Sequence, residues 1–359
     1  MTDDAHTELG ALRARIDGID DAILQLVSER AGIAQQVGRA KNGEKIYRPE
    51  REAQIVRRLR ENNPGPLSGD AIERLIREVM SACRALEETT RIAYLGPAGT
   101  FSQQAVMKHF GHEVEALAEA DIDACFHAVE TGRAEFAVVP VENSTEGAIG
   151  RTLDLIVASP LRICGEVMLP IHQTLMRKEA SLDGIARVYG HVQSLAQCQL
   201  WLSRHLPGAE RVSVVSNSEG ARRAAAEPDA ATLGSEAAAE LYGLAVIQAR
   251  VEDEVSNTTR FLVLGKTDAA SSGHDKTSLV MGAHNQPGAV VELLQPLAEA
   301  GISMSKLESR PSRSSNWEYL FFVVCNGHRE DPKLAAALAE IEARAAFLKI
   351  LGSYPAASA

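Results

Sequence analysis

The chain is poor in cysteine: Cys83, Cys125, Cys164, Cys198 and Cys325 are its only five in 359 residues, an odd number with no CxxC pair. That excludes a disulfide-stapled scaffold and metal sites built on spaced thiolates. Reduced, mostly buried thiols in a cytoplasmic protein are expected. A basic leader is also missing, because Met1-Thr2-Asp3-Asp4-Ala5-His6 is acidic, and no uninterrupted apolar run is long enough to span a bilayer. A soluble, unexported chain with no membrane partner follows. Phosphate-cradling signatures are absent too: Gly96 and Gly99 are not in GxGxxG order, and no Gly-Lys-Ser or Gly-Lys-Thr occurs. Neither a nucleotide cofactor nor a metal is expected. Positive charge is in deficit, with a net charge of -11, which argues against a nucleic-acid partner.

The deficit is uneven. Between Arg30 and Arg60, nine Lys or Arg stand against Glu44, Glu50 and Glu52. Such a patch suits a small anionic ligand; the plainer alternative is a solvated, salt-bridged helical surface.

Three segments are expected: 1–90, 91–268 and 274–359. In the first, Leu9, Leu12, Ile16, Ile19, Ile23, Leu26, Ile33 and Val37 recur at steps of three and four, apart from Arg30 in an apolar place between Leu26 and Ile33. With no proline before Pro49, one helix of about thirty residues, roughly 45 Å, is predicted. Shorter helices should cover Pro49 to about Glu61 and Asp70 to about Glu88. A helix that long cannot bury its face alone, so an intertwined dimer is expected.

From Arg91 short apolar runs each end in a polar cluster and lead into a helical pattern: Ile92–Leu95, Ala137–Val141, Val188–Tyr189, Val212–Val215 and Ala231–Leu233. Strand, polar loop and helix in repetition predict an α/β domain with parallel sheets and ligands at the strand ends. After a small polar linker, Asp268 to Asp275, the order β-α-β-β-α-β predicts a ferredoxin-like α+β unit.

Arg30 and Lys41 lie eleven residues apart, nearly on one helix face. An arginine on an apolar seam needs a carboxylate, and an ion pair with Glu52 or Glu87 is the structural alternative to a binding role. Leu12-Arg13-Ala-Arg-Ile-Asp17, Glu29-Arg30, Gly38-Arg-Ala-Lys41 and Arg48-Pro-Glu-Arg51-Glu52 resemble the all-helical chorismate mutase family. The resemblance implies that Arg13 of a partner subunit and Arg30 grip two substrate carboxylates, and that Lys41 and Glu87 face the ether oxygen. It further implies that Arg48 and Glu52 border the hydroxyl, with Arg51 close by. Arg48 replaces the Asp of some members, and Glu87 the Gln of some. The family reaction is pericyclic, so charge complementarity and conformer selection suffice.

Tyr94-Leu-Gly-Pro-Ala-Gly-Thr-Phe-Ser102, Val139-Pro-Val-Glu-Asn-Ser-Thr-Glu-Gly147, His191-Val-Gln-Ser-Leu-Ala-Gln-Cys198 and Thr258-Thr259-Arg260-Phe261 resemble prephenate dehydratases, whose fold has two lobes about a cleft, like periplasmic binding proteins. The resemblance implies Thr259 as the catalytic residue, Arg260 as a carboxylate anchor beside Phe261, and Thr100, Asn143, Ser144, Thr145 and Gln193 as lining. His191 and Glu142 stand as alternative proton sources. For any one Ser, Thr or Asn, helix capping is the competing role.

Asn285-Gln-Pro-Gly288-Ala289-Val290-Val291 and Glu308-Ser309-Arg310-Pro311 resemble the phenylalanine-binding motifs of ACT domains, against a plain turn and helix start at Pro287-Gly288. Chorismate, prephenate and L-phenylalanine are thus the implied ligands, and a homodimer or higher homo-oligomer the implied assembly. A non-catalytic amino-acid sensor with a helical dimerisation segment is the rival reading.

Overall fold

The computed structural model describes residues 2–40, 47–254, 256–283, 286–311 and 319–357. The first segment is helical: α1 (Thr2–Ala40), α2 (Pro49–Glu61) and α3 (Gly69–Ala85). With 39 residues, α1 exceeds the expected length, because no proline or glycine interrupts the residues before Leu9. Pro49 opens α2, where a missing N–H costs nothing, and Ser68 caps α3 by accepting from the Ala71 N–H at 3.2 Å. Leu12, Ile16, Ile19, Ile23 and Leu26 on α1 are each more than half exposed. The apolar stripe is therefore real but uncovered within one chain.

The second segment builds two lobes. It continues as β1 (Arg91–Leu95), α4 (Phe101–Phe110), β2 (Glu115–Glu119), α5 (Ile122–Glu130), β3 (Phe136–Asn143), β4 (Gly147–Ala148), α6 (Gly150–Ala158) and β5 (Arg162–Pro170). The other lobe holds β6 (Thr174–Arg177), β7 (Arg187–His191), α7 (Val192–Gln197), α8 (Gln199–His205), β8 (Glu210–Val214), α9 (Asn217–Ala226), β9 (Ala230–Gly234), α10 (Glu236–Tyr242) and β10 (Ala245–Gln248). The chain then returns to the first lobe as β11 (Thr258–Gly265), giving sheets ordered β2-β1-β3-β11-β5, with β4 paired to β3, and β10-β6-β9-β7-β8.

These sheets are mixed rather than parallel. The pairs β1/β2, β1/β3, β7/β8 and β7/β9 are parallel, whereas β11 runs antiparallel to both β3 and β5, and β6 antiparallel to β9 and β10. A strand that re-enters its lobe from the far side comes back reversed, and local sequence does not show that direction.

The third segment has the expected order: β12 (Asp275–Gly282), α11 (Ala289–Glu299), β13 (Met304–Pro311), β14 (Tyr319–Asn326), α12 (Pro332–Arg344) and β15 (Phe347–Pro355), in a sheet ordered β13-β14-β12-β15. Asp275, expected in the linker, already begins β12.

Two seams join the segments. Tyr47 is buried against Phe110 and Phe136, with ring centroids at 5.0 and 5.1 Å, and its hydroxyl shares a 2.6 Å hydrogen bond with His109 Nε2. Burial, helped by Arg77 and Arg84, pushes the His109 pKa well below its ordinary value, so the ring is neutral. At the second seam Val280, Phe322, Leu351 and Tyr354 share one core with Val139, Val141, Leu262 and Leu264. The Lys349 ammonium caps α6 there, donating to the Val157 and Ser159 carbonyls at 2.7 and 2.6 Å.

Candidate active sites

The three helices border an open cavity of about 140 Å³ lined by Arg30, Ala34, Arg48, Arg51, Glu52, Ile55, Met80, Cys83, Arg84 and Glu87. Arg30 and Ala34 come from α1, Arg48, Arg51, Glu52 and Ile55 from the start of α2, and Met80, Cys83 and Arg84 from the C-terminal half of α3. Sequence reading offered Glu52 or Glu87 as the partner of Arg30. Glu52 is instead paired with Arg84, a residue that reading missed.

Arg84 is buried. Its other terminal nitrogen donates to the Phe110 carbonyl at 2.6 Å, and its guanidinium carbon lies 5.2 Å from the centre of the Tyr47 ring. Burial raises the Glu52 pKa, and Arg84, Arg77 and Arg30 draw it back. Glu87 lies just beyond α3, with its carboxylate against the backbone of Gly38; a Cβ at residue 38 would overlap it.

Arg13 does not reach this cavity. It is exposed on α1, 17 residues before Arg30, about 25 Å along the helix. Lys41 lies outside the described residues.

The second cluster forms where the end of β3 meets the start of β11. Asn143 Nδ2 donates to Thr259 Oγ1 at 2.9 Å and to Asn257 Oδ1 at 2.8 Å. Thr145 Oγ1 donates to Asn143 Oδ1 at 2.7 Å. Ser144 ties the two strands together, its backbone N–H donating to Thr258 O and its Oγ accepting from the Thr258 N–H, both at 2.9 Å. Thr259 is 8% exposed and Asn257 3%, so the network has a buried end, while Ser144 and Thr145, just past β3, are exposed. Asn257, missed in the sequence, has a buried Nδ2 without a hydrogen-bond partner among the described residues.

From the same edge, Thr100 caps α4, accepting from the Gln103 N–H at 3.4 Å. His191 caps α7, and its own N–H donates to Asn217 Oδ1 at 2.7 Å. Thr100 thus does what the capping alternative required, and His191 takes a capping role that alternative did not name. Hydrogen bonds cross between the lobes: Gln193 Nε2 donates to Glu146, and Ser235 Oγ to the Gly99 carbonyl at 2.7 Å.

Three predicted residues point elsewhere. On β11, Arg260 faces away from Thr259, because successive side chains on a strand leave opposite faces. Its Nε donates to Glu166 Oε2 at 2.8 Å and its Nη2 to the Tyr354 hydroxyl at 2.9 Å. Glu142, beside Arg260 in the ladder, lies 2.9 Å from the Lys306 ammonium. Phe261 is buried in the core beside α4.

In the third segment, Lys306 also pairs with Glu308 at 2.9 Å, and Arg310 packs over Gly150 with Asp154 at 3.6 Å. Ser309 and Pro311 are exposed on edge strand β13. Gly288 has φ of 84° in a turn whose carbonyl accepts from the Glu292 N–H, the helix start that plain turn chemistry predicts. Ala289 is buried and Val290 partly so. Asn285 lies outside the described residues.

Three family descriptions match this chain in succession: Chorismate mutase type II over residues 12–88, Prephenate dehydratase over 92–269 and ACT domain over 277–343. A bifunctional chorismate mutase/prephenate dehydratase of Neisseria gonorrhoeae is 53% identical over 348 residues, covering 96% of each chain. One from Stutzerimonas stutzeri is 48% identical over 358 residues, covering 98% of each. Among solved structures, a prephenate dehydratase from Arthrobacter aurescens in complex with L-Phe is 33% identical with a TM-score of 0.68, covering 74% of this chain and 90% of that one.

Proposed function

This chain belongs to the family of bifunctional chorismate mutase/prephenate dehydratases, and from that premise we infer that it converts chorismate to prephenate and prephenate to phenylpyruvate under feedback inhibition by L-phenylalanine. The observation that carries the reading is the pairing, in one chain, of an arginine-lined cavity with a separate Asn–Thr hydrogen-bonded cluster. Segments 1–90, 91–268 and 274–359 divide the labour in that order.

In the cavity, Arg30, together with Arg13 of a second copy, suits the two carboxylates of chorismate, whose diaxial conformer must be selected, and Arg51 lies close by. Glu52 and Arg48 stand toward the hydroxyl. Lys41, by family position, serves the ether oxygen, where negative charge grows as the C–O bond breaks, and Glu87 faces the same oxygen, which a carboxyl group serves only as a protonated donor. Arg84 keeps Glu52 in place. No covalent intermediate is required.

Arg13 completes the site of a second copy. The uncovered stripe of α1 supports a homodimer, since a second α1 laid along it would remove that apolar surface from water. Every substrate is a small anion of central metabolism, which supports a cytoplasmic place.

In the cleft, loss of CO2 and hydroxide must be matched by a proton to the departing oxygen. Thr259 is the donor. The Asn143 amide donates to its oxygen, so the Thr259 hydroxyl hydrogen is free to point at substrate. Thr100, Ser144, Thr145, His191 and Gln193 border the ring. L-phenylalanine is sensed by the Gly288–Val290 turn and the Glu308–Pro311 strand. Purified protein incubated with chorismate should accumulate phenylpyruvate; uptake of L-phenylalanine without turnover of chorismate or prephenate would favour the sensor reading.

A further inference from the structure

Arg260 stands next to the catalytic threonine in sequence and on the opposite face in space. Its guanidinium is spoken for: Glu166 takes the Nε hydrogen and the Tyr354 hydroxyl takes one from Nη2. Glu166 is 3% exposed, Tyr354 0% and Arg260 9%, so neither the bridge nor its charge is shared with solvent. The second oxygen of Glu166 meets the Lys276 ammonium at 2.6 Å and the Ala357 N–H at 3.1 Å, while Tyr354 is also joined to Ser278 Oγ at 2.6 Å. Lys276, Ser278, Tyr354 and Ala357 all belong to the C-terminal segment. Only Glu166 and Arg260 belong to the dehydratase lobe.

A strand cannot present one side chain to both faces of its sheet. A guanidinium bound across this seam is therefore not in the cleft to hold a carboxylate. What Arg260 can do is fix the strand that carries Thr259. The ladder partner of Arg260 is Glu142, and that of Thr259 is Asn143. Glu142 is in turn tied to Lys306, beside Glu308. Each of the two cleft residues, Asn143 and Thr259, thus has an immediate neighbour anchored in the C-terminal domain. A void of about 30 Å³ at the same seam, touched by Arg260, Ser278 and Lys306, leaves these groups room to shift.

We propose that Arg260 is a positioning residue through which the C-terminal domain sets the place of Thr259, the Glu166–Arg260–Tyr354 bridge being the coupling between effector domain and cleft. This rests on the dehydratase reading above. It gives inhibition a physical route: an effector that shifts the C-terminal sheet acts on Thr259 through one side chain, and so on turnover rather than on substrate affinity.

The test is Tyr354→Phe, which removes the hydroxyl and keeps the ring in its core, with Arg260→Lys as a second variant that keeps the charge beside Glu166 but loses the fork. Both activities, KM for prephenate and the L-phenylalanine inhibition curve are measured, with thermal melts to establish folding. Tyr354→Phe should lower dehydratase kcat about tenfold with KM within about twofold, blunt the inhibition curve and leave mutase turnover alone. Arg260→Lys should move the same quantities in the same direction. Wild-type kcat and inhibition in Tyr354→Phe would overturn the proposal. So would an Arg260→Lys enzyme whose KM for prephenate rises about tenfold at unchanged kcat, the mark of a substrate grip. A wild-type chain inert on prephenate would instead remove the dehydratase reading, and the proposal with it.

Discussion

On the proposed reading, the helical cavity and the two-lobed cleft handle related anions with opposite materials. The cavity brings Arg30, Arg48, Arg51 and Arg84 around a small space with Glu52 and Glu87. The cleft is assembled from amides and hydroxyls, Asn143, Thr145, Asn257 and Thr259, with its nearest arginine turned to the other side of the sheet. A rearrangement that makes no bond to the protein calls for fixed charge around a moving charge. An elimination calls for one directed proton, and neutral donors held by neighbours supply direction at a smaller desolvation cost.

The sharpest way to break this comparison is to remove one member from each site. Arg30→Ala should lower mutase kcat/KM by about a thousandfold, near 4 kcal/mol, and leave dehydratase turnover within about twofold. Thr259→Ala should do the reverse to a similar extent, read by following chorismate loss and phenylpyruvate formation in the same samples. Loss of both activities in a folded variant would end the two-material picture.

A smaller effect is expected in stability. Burial opposes ionisation of Glu166, yet Arg260 and Lys276 hold its pKa below the ordinary 4.5. A carboxyl depressed in the folded state contributes stability above its unfolded pKa and loses it as pH falls through the lower folded value. Glu166→Gln should therefore cost about 3 kcal/mol near neutrality. The gap to wild type should narrow only below pH 4.5, as denaturant melts across that range would record.

Next comes Arg84→Gln. Of the groups facing Glu52, Arg84 is the strongest of those that hold its pKa down against burial, with Arg77 and Arg30 behind it. Removing it should move the Glu52-dependent limb of the mutase pH profile, identified by its disappearance in Glu52→Gln, to higher pH, and lower kcat about tenfold. The least effect is expected of Gly38→Ala. The new methyl meets the flexible end of Glu87 rather than backbone, so the fold should hold while Glu87 is pushed out of the cavity. A mutase decrease of about fivefold with unchanged melting would fit.

Much of this was legible in the sequence for a local reason. Helix and strand periods are written in neighbouring residues, which is why α2, β1, β3, β9 and the C-terminal order fall where patterns put them. Strand direction, by contrast, depends on where a distant segment returns, and β11 returned antiparallel. The same limit governs side chains. A motif places Thr259 and Arg260 together, but alternation alone does not say which face is the cleft. Arg84 carried a faint signal, a charge one position past Cys83 on the apolar stripe of α3. Its partners, Glu52 and the Phe110 carbonyl, lie too far along the chain to be read from it.

Helix α4 has one end in each half of the chemistry. Thr100 caps its start, and Arg84 donates to its last carbonyl, that of Phe110, at the wall of the cavity. Cutting the chain at residue 90 to obtain a free-standing dehydratase would strip that end of its cation and leave His109, Phe110 and Phe136 without Tyr47 above them. The modules are therefore not cargo on a string: a gene split at this border would need a polar resurfacing of α4 and its turn before the released half could be expected to stay monodisperse.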